Sequence, residues 1–183
     1  MLVRNYVINI HEKEIYLYGM ELLLSTFFNF GFIILNSLCI LRMPLAFISY
    51  TIVYIPFRLS AGGYHAKNHL SCILYTQGIF VLSVLLMKFM ADHAVQFLLP
   101  VMAISLLIIW FLAPAEAINK PLSQNEFKKA KQRSRKLAFL FGLLTVIFAC
   151  LDKLHLEFVS NGIAASVSVA LSLVIEHASV NAY

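Results

Sequence analysis

Long apolar runs alternate with short polar joints along the whole chain. Six runs carry at most one charged residue each, and they lack the residue-by-residue alternation that the strands of a membrane β-barrel would show. The pattern predicts an all-α polytopic membrane bundle of about six transmembrane helices, at 22–41, 43–57, 71–91, 95–113, 137–151 and 158–175. The second run is short, and we expect Pro56 to end or kink it.

The composition agrees with a membrane protein. Apolar residues make up 61% of the chain and the mean hydropathy is +0.83, whereas soluble domains are roughly 45 to 50% apolar. We therefore treat 1–183 as one integral membrane domain. Its first segment, 1–21, has apolar residues at near-helical spacing between charged ones, which predicts an interfacial amphipathic helix; a frayed polar terminus fits the same residues. The segment lacks the features of a secretory signal, so we expect nothing to be removed.

The basic residues predict an orientation for the bundle. With six spans, one face collects 11 of the 14 Lys and Arg residues, and the other face collects Arg42, Lys88 and Lys153. Basic residues in short loops stay on the cytoplasmic side of a membrane. We therefore expect both termini and the stretch 58–72 to face the cytoplasm.

The segment 114–136 is predicted to be a basic cytoplasmic loop. It fits a topological anchor on anionic lipid headgroups, and it fits equally a landing site for an acidic partner. Within it, Lys129 and Lys131 are candidates for substrate binding or structural support. Nothing in this loop indicates nucleic acid as a partner, because aromatic residues are not interleaved with the basic ones.

The most polar interval between two apolar runs is 58–72, and it holds the candidate chemistry: Arg58, Gly62, Gly63, His65, Lys67, His69 and Cys72. His65 and Cys72 would lie about 10 Å apart along one straight helix, so a productive pair needs a bend, which the Gly62-Gly63 pair allows. Capped by Asn68 or Ser71, a helix would place Cys72 in its first turn, where the thiolate is favoured. His65 could then act as its base.

Two other interpretations of the same residues stay open. His65, His69 and Cys72 are spaced so that they would share one face of a regular helix, as ligands of a metal ion do. The residues could also belong to an interfacial loop without chemistry. No disulfide framework follows from three cysteines. Cys39 and Cys150 are most simply small apolar residues in the bundle.

The last apolar run is unusually rich in Ser and Ala between 164 and 172. Small residues at this density suit close helix contact, either inside a bundle or between subunits. The run therefore predicts a tightly packed helix and, as a second expectation, a homodimer.

The interval 58–72, after a proline-terminated short span, resembles the accessory gene regulator protein B (AgrB) family of membrane cysteine endopeptidases. The resemblance is carried by Arg58, Ala61-Gly62-Gly63-Tyr64-His65 and Cys72, and it extends to the six-span layout, to Pro114-Ala115-Glu116 and to Asn119-Lys120-Pro121. It implies a Cys72 nucleophile, a His65 general base and supporting roles for Arg58 and Gly63, with His69 a bystander. No third residue orienting His65 is assigned; Ser60, Asn68 and Gln77 are candidates.

The resemblance also implies a substrate and a reaction. The enzyme would cut the C-terminal tail from a small quorum-sensing precursor that has an amphipathic leader and an acidic tail, and the acyl-enzyme thioester would then close into a thiolactone or lactone. No cofactor or metal is expected. The alternatives are a small transporter or export component without covalent chemistry, for which the spans offer chiefly Asn29, Asn36 and Gln77, or a metal-dependent enzyme using His65, His69 and Cys72.

Overall fold

A computed structural model describes residues 13–63, 69–93, 95–115, 123–153 and 156–181 of the chain. Within these ranges there are six α-helices, a π-helical turn at Asn36–Ile40 and a 3₁₀ turn at Val95–Phe97. The helices are α1 Lys13–Leu35, α2 Ala46–Ala61, α3 His69–His93, α4 Leu98–Leu112, α5 Gln124–Cys150 and α6 Glu157–Asn181. The predicted all-α membrane bundle is confirmed.

Three stretches of the described chain are long and apolar enough to cross a membrane: Leu70–His93, Val95–Leu112 and Glu157–Ser179. Two shorter stretches, Thr26–Ile40 and Ala46–Ala61, are also apolar. The protein is therefore a membrane protein, and each of the three long stretches has about the length that the hydrocarbon layer requires.

Helix α6 is the centre of the bundle. In its most apolar window 72% of the residues are buried, against 22% for α3 and for α4, because α2, α3 and α4 all pack against it. Its small residues permit this close approach: Ala164 and Ala165 are fully buried, as is Ser166. The small-residue run is thus covered inside the chain, which removes the reason for expecting a homodimer through this face. The homodimer itself stays a prediction.

Two apolar clusters mark the two ends of the bundle. The first contains Tyr50 of α2 and Ile163 of α6. The second contains Phe57 of α2, Ile109 of α4 and Leu173 of α6. We call the end with Phe57, Ile109 and Leu173 the site end, and the other the far end.

The clusters also give the directions of the helices. Helices α2, α4 and α6 run toward the site end, since the earlier residues of each lie in the first cluster and the later residues in the second. Helix α5 runs the opposite way, because Ala138 is in the second cluster whereas Phe148 packs on the first. In α3, Phe80 and Met87 lie in the first cluster, so the start of α3 points toward the site end. Successive helices from α2 to α6 therefore alternate in direction.

One predicted boundary in the first third of the chain is wrong, and another stays a prediction. Helix α1 is continuous from Lys13 to Leu35, and residues 1–12 lie outside the described ranges, so the interfacial segment 1–21 stays a prediction. Helix α2 passes through Pro56 and ends at Ala61. Phe57 and Ala61 are buried in the second cluster, and this packing offsets the cost of a proline inside the helix.

The predicted basic loop is also wrong over most of its length. The chain is helical from Gln124, so the basic residues from Lys128 to Lys136 form the first half of α5. Ser123 caps this helix: its hydroxyl accepts from the Glu126 N–H, and the Glu126 carboxylate accepts from the Ser123 N–H at 2.9 Å. This capping box satisfies two backbone donors that would otherwise lack partners at the helix start.

Amide side chains from α1, from the π-helical turn that follows it and from α3 pair with one another. The Gln77 side-chain nitrogen donates to Asn29 Oδ1 at 2.8 Å, and the Gln77 side-chain oxygen accepts from the Asn36 amide nitrogen at 2.8 Å. These bonds hold α1 against α3 and supply partners for polar groups that hydrocarbon could not satisfy.

Candidate active site

Helix α2 ends at the site end in a tight turn made by two glycines. Gly62 has φ 70° and donates its N–H to the Arg58 carbonyl oxygen at 3.1 Å, and Gly63 has φ 124°. Both are left-handed conformations that a side chain disfavours. The glycine pair therefore lets the chain leave α2 abruptly toward the start of α3.

The glycine turn lies against the segment that follows α4. Ala115 donates its N–H to the Ala61 carbonyl oxygen at 2.8 Å, and a Cβ on Gly62 would lie 2.5 Å from the Ala115 carbonyl oxygen. Ala115 and Gly62, which both belong to the family resemblance noted in the sequence, are therefore in contact. Only a residue without a side chain fits at position 62 in this arrangement.

Arg58 ties the glycine turn to the central helix. Its Nη1 donates to the Gly62 carbonyl oxygen at 2.7 Å and to Ser172 Oγ of α6 at 2.9 Å. A Cβ on Gly63 would overlap both Arg58 Nη1 and Ser172 Oγ. Arg58, Gly63 and Ser172 are therefore packed as one unit, which we call the arginine clamp.

Ser172 is a residue that the sequence did not identify as part of the site. It is 114 positions from Arg58 and stands in a helix where serines are common. No local signal distinguishes it from Ser166 or Ser168, which bond to Ser105 and Ser83 of other helices. Only the packing of α2 on α6 reveals the contact.

Cys72 is the fourth residue of α3 and lies in its first turn, as the sequence predicts. Its thiol is free and half-buried. The side chain of Tyr54 on α2 is close enough to interact electrostatically with both Cys72 and Arg58. Backbone N–H groups in a first helical turn have no carbonyl partner within the helix, so they can donate to a negatively charged group.

The other two cysteines lie elsewhere. Cys39 and Cys150 are both exposed on the outer surface of the bundle, where small apolar residues of a membrane protein can face lipid. Of the three cysteines, only Cys72 combines partial burial with a place at the start of a helix near the glycine turn.

Several predicted site residues fall outside what the structure describes. His65 and Lys67 lie between the described ranges, and the side chain of His69 is likewise not described. Among the described residues no group of three or more His, Cys, Asp or Glu side chains could hold a metal ion. The pair of His65 with Cys72, and the alternative metal site with His69, therefore both stay predictions.

A family model described as Accessory gene regulator B matches residues 1–176. The match covers the glycine turn, Cys72 and the Ser172 end of the arginine clamp. The chain belongs to the AgrB family. Membership supports the processing of a quorum-sensing propeptide at a membrane, since the family is one of processing proteases. Searches of curated proteins and of solved structures found no match to the chain.

Three residues of this AgrB member were candidates for orienting His65. Two of them, Gln77 and Ser60, form hydrogen bonds with other groups. Both polar atoms of the Gln77 amide are used between α1 and α3. The Ser60 hydroxyl donates to the Pro56 and Phe57 carbonyl oxygens of its own helix, at 2.9 and 3.2 Å. The third candidate, Asn68, lies outside the described residues.

Lys129 and Lys131 lie in the second turn of α5 of this AgrB chain, at its site end. Lys129 is exposed, whereas Lys131 is half-buried with its Nζ 5.8 Å from the centre of the Phe127 ring. At 5.8 Å the ammonium group can interact favourably with the ring face. Lys129 is thus free to meet a partner in solution, and Lys131 is partly committed to its own helix.

We expect Ser172→Ala to destabilise the protein by about 1 to 3 kcal/mol, because the Arg58 guanidinium would lose a buried acceptor. Ser160→Ala is the matched control, since Ser160 is equally buried in α6 and its hydroxyl donates to the Glu157 carbonyl oxygen of the same helix. Thermal unfolding of both variants in detergent measures the difference. Equal melting temperatures for the two would contradict a role for the arginine clamp.

Proposed function

We propose that this AgrB member is a multi-pass membrane cysteine endopeptidase that removes the C-terminal tail of a propeptide and cyclises the remainder. Cys72 is the nucleophile and His65 the general base. The observation that carries the proposal is the place of Cys72: a half-buried thiol in the first turn of α3, in a chain whose family processes propeptides.

In the first step His65 takes the proton of the Cys72 thiol, and the sulfur attacks the carbonyl carbon of the scissile peptide bond. The carbonyl oxygen becomes an oxyanion, for which the N–H groups of the first turn of α3 are suitable donors. When the C–N bond breaks, His65 returns the proton to the leaving amine of the tail. The products are the free tail and a thioester between Cys72 and the shortened peptide.

In the second step a Cys thiol or Ser hydroxyl of the bound peptide loses its proton to His65 and attacks the thioester carbonyl. The C–S bond to Cys72 breaks and the ring closes as a thiolactone or a lactone, with Cys72 regenerated. Exchange of one thioester for another is nearly balanced in energy, so the internal nucleophile must outcompete water. Positioning in a site that excludes water favours this outcome.

Arg58, Gly62 and Gly63 act as positioning residues in this scheme. Arg58 could either bind a carboxylate of the substrate or support the local fold. The bonds from its Nη1 to the Gly62 carbonyl oxygen and to Ser172 Oγ, at 2.7 and 2.9 Å, favour the second role. The clamp fixes the direction in which the chain leaves α2, and the residues between Gly63 and α3 include the proposed base.

The basic residues of α5 fit an acidic part of the propeptide. The exposed Lys129 and the half-buried Lys131 lie at the site end, where positive charge would concentrate an acidic C-terminal tail. The excess of basic residues at this end also favours the cytoplasm as the side on which the reaction takes place. The amphipathic leader of the propeptide would meanwhile lie on the bilayer surface.

A transporter without covalent chemistry is less well supported. The amides of Asn29, Asn36 and Gln77, which could have lined a pathway, are bonded to one another between α1 and α3. A transported peptide would need polar groups that face an opening between helices. The pairing of these three side chains leaves them committed to helix packing.

The proposal is tested by trapping the thioester. The purified protein in micelles is mixed with a candidate precursor peptide, the reaction is quenched in acid, and the intact protein is analysed by mass spectrometry. We expect an adduct with the mass of the shortened peptide, which hydroxylamine at neutral pH removes. Tail release should be unchanged by a chelator and by His69→Ala. Loss of activity in either case would favour the metal site, and peptide crossing a vesicle membrane uncut would favour the transporter.

A further inference from the structure

We propose that a cleft between α4 and α5 binds the headgroup of an anionic phospholipid. The cleft has a volume of about 430 Å³ and is lined by Trp110, Arg135, Lys136, Phe139 and Leu140. Trp110 is near the site end of α4, and the other four residues lie on one stretch of α5. The site is separate from Cys72 and does not depend on the proposed peptidase activity.

Arg135 is the side chain around which the cleft is built. Its guanidinium carbon lies 5.0 Å from the centre of the Trp110 ring, and its Nε is buried without a hydrogen-bond partner among the described residues. The ring face stabilises the cation only in part. No carboxylate of the described residues is shown paired with this partly buried guanidinium, and an anion at its accessible edge would offset the cost of burying the charge. A phosphate group accepts two parallel N–H bonds from arginine.

The cleft sits where a lipid headgroup meets its acyl chains. Helix α5 changes from charged to apolar sequence between Lys136 and Leu137. One turn beyond, Phe139 and Leu140 are 65% and 54% exposed, which is the expected state of residues that contact acyl chains. Trp110 is of the residue type enriched at the membrane boundary. The surface inside the cleft is almost entirely apolar, which suits acyl chains, and the charged groups of Arg135 and Lys136 would meet the phosphate at its edge.

This combination of an apolar interior and a charged edge favours a lipid over an acidic peptide as the ligand. An acidic peptide segment could pair with Arg135 and Lys136, but it would leave the apolar interior of the cleft uncovered. An anionic phospholipid satisfies both parts at once: its phosphate meets the two basic side chains and its acyl chains cover Phe139 and Leu140. Each basic residue near an anionic membrane surface adds roughly fivefold to binding.

The test uses a feature of the sequence, since Trp110 is the single tryptophan of the chain. Its fluorescence therefore reports on this cleft alone. The protein is reconstituted in phosphatidylcholine vesicles that contain increasing fractions of a brominated lipid. The bromine atoms are near the headgroup end of the acyl chains, and the brominated lipid is either phosphatidylglycerol or phosphatidylcholine. Bromine quenches tryptophan at contact. We expect brominated phosphatidylglycerol to occupy the cleft at least about fivefold more strongly than brominated phosphatidylcholine.

Arg135→Gln should abolish this preference, whereas Arg133→Gln should keep it. Both substitutions remove one charge from the same helix, but Arg133 is exposed and does not line the cleft. Equal quenching by the two lipids in the unsubstituted protein would overturn the proposal. An equal loss of preference in both variants would also overturn the proposal. Such a result would mean that the lipid responds to the total positive charge of α5 and not to a specific site at Arg135. Recovery of fluorescence on adding an acidic peptide to the quenched protein would assign the cleft to a peptide.

Discussion

Cys72→Ala should abolish tail release, lowering its rate by about 10⁴-fold or more, the loss that follows removal of a nucleophile in comparable proteases. Without Sγ no thioester can form, and therefore neither cleavage nor ring closure can follow. His65→Ala should cost about 10² to 10⁴-fold, the usual contribution of general base catalysis. Chromatography of the released tail over time measures both rates.

The two remaining cysteines provide matched controls for this experiment. Cys39→Ala and Cys150→Ala should release the tail at the unsubstituted rate, because both thiols are exposed on the outer surface of the bundle. Cys72→Ala that retains more than a tenth of the activity would contradict the assignment of the nucleophile. Loss of activity in a control variant would instead show that thiol loss damages the bundle generally.

The fold was largely predictable because hydrophobic length is a strong signal in a membrane protein. Apolar runs of the right length between charged joints allow few structures other than helices. The errors occurred where packing overrides local rules. Helix α2 continues through Pro56 because Phe57 and Ala61 are buried against the rest of the second cluster. Nothing in the five residues after the proline reveals that contact.

Helix α5 is a different kind of error, because the signal was present. Ser123 and Glu126 have the spacing of a capping box, and the residues that follow are mostly Lys, Arg, Gln and Ala, which favour helix. The high density of basic residues in this segment led to its interpretation as a loop. A basic run that begins at a capping box is better interpreted as the polar first half of a helix whose second half is apolar.

Only the part of the candidate site whose residues are close together in sequence could be predicted. Gly62, Gly63 and Cys72 fall within one short interval, and the left-handed glycines and the first-turn cysteine follow from local chemistry. Ser172 could not be predicted, because its contact with Arg58 depends on two helices packing 114 residues apart. The arginine clamp is therefore the part of the site that needed a structure.

Gly63→Ala should disrupt this clamp and lower activity, although by less than Cys72→Ala or His65→Ala. At φ 124° a side chain is strained by about 1 to 3 kcal/mol, and the added Cβ would overlap Arg58 Nη1 and Ser172 Oγ. The arginine must then move, and the glycine turn loses its link to α6. We expect tail release to fall by at least about tenfold, the equivalent of about 1.4 kcal/mol, together with a lower melting temperature.

Gly78→Ala is the control, since a Cβ there meets nothing within 4 Å and alanine favours the interior of α3 by about 1 kcal/mol. It should leave activity intact and raise the melting temperature slightly. A double variant separates clamp loss from general damage. Ser172→Ala should cost less in the Gly63→Ala background than in the unsubstituted protein, because the Arg58 bond that it removes is already broken there. Strictly additive effects would mean that Gly63 and Ser172 do not act through the same arginine.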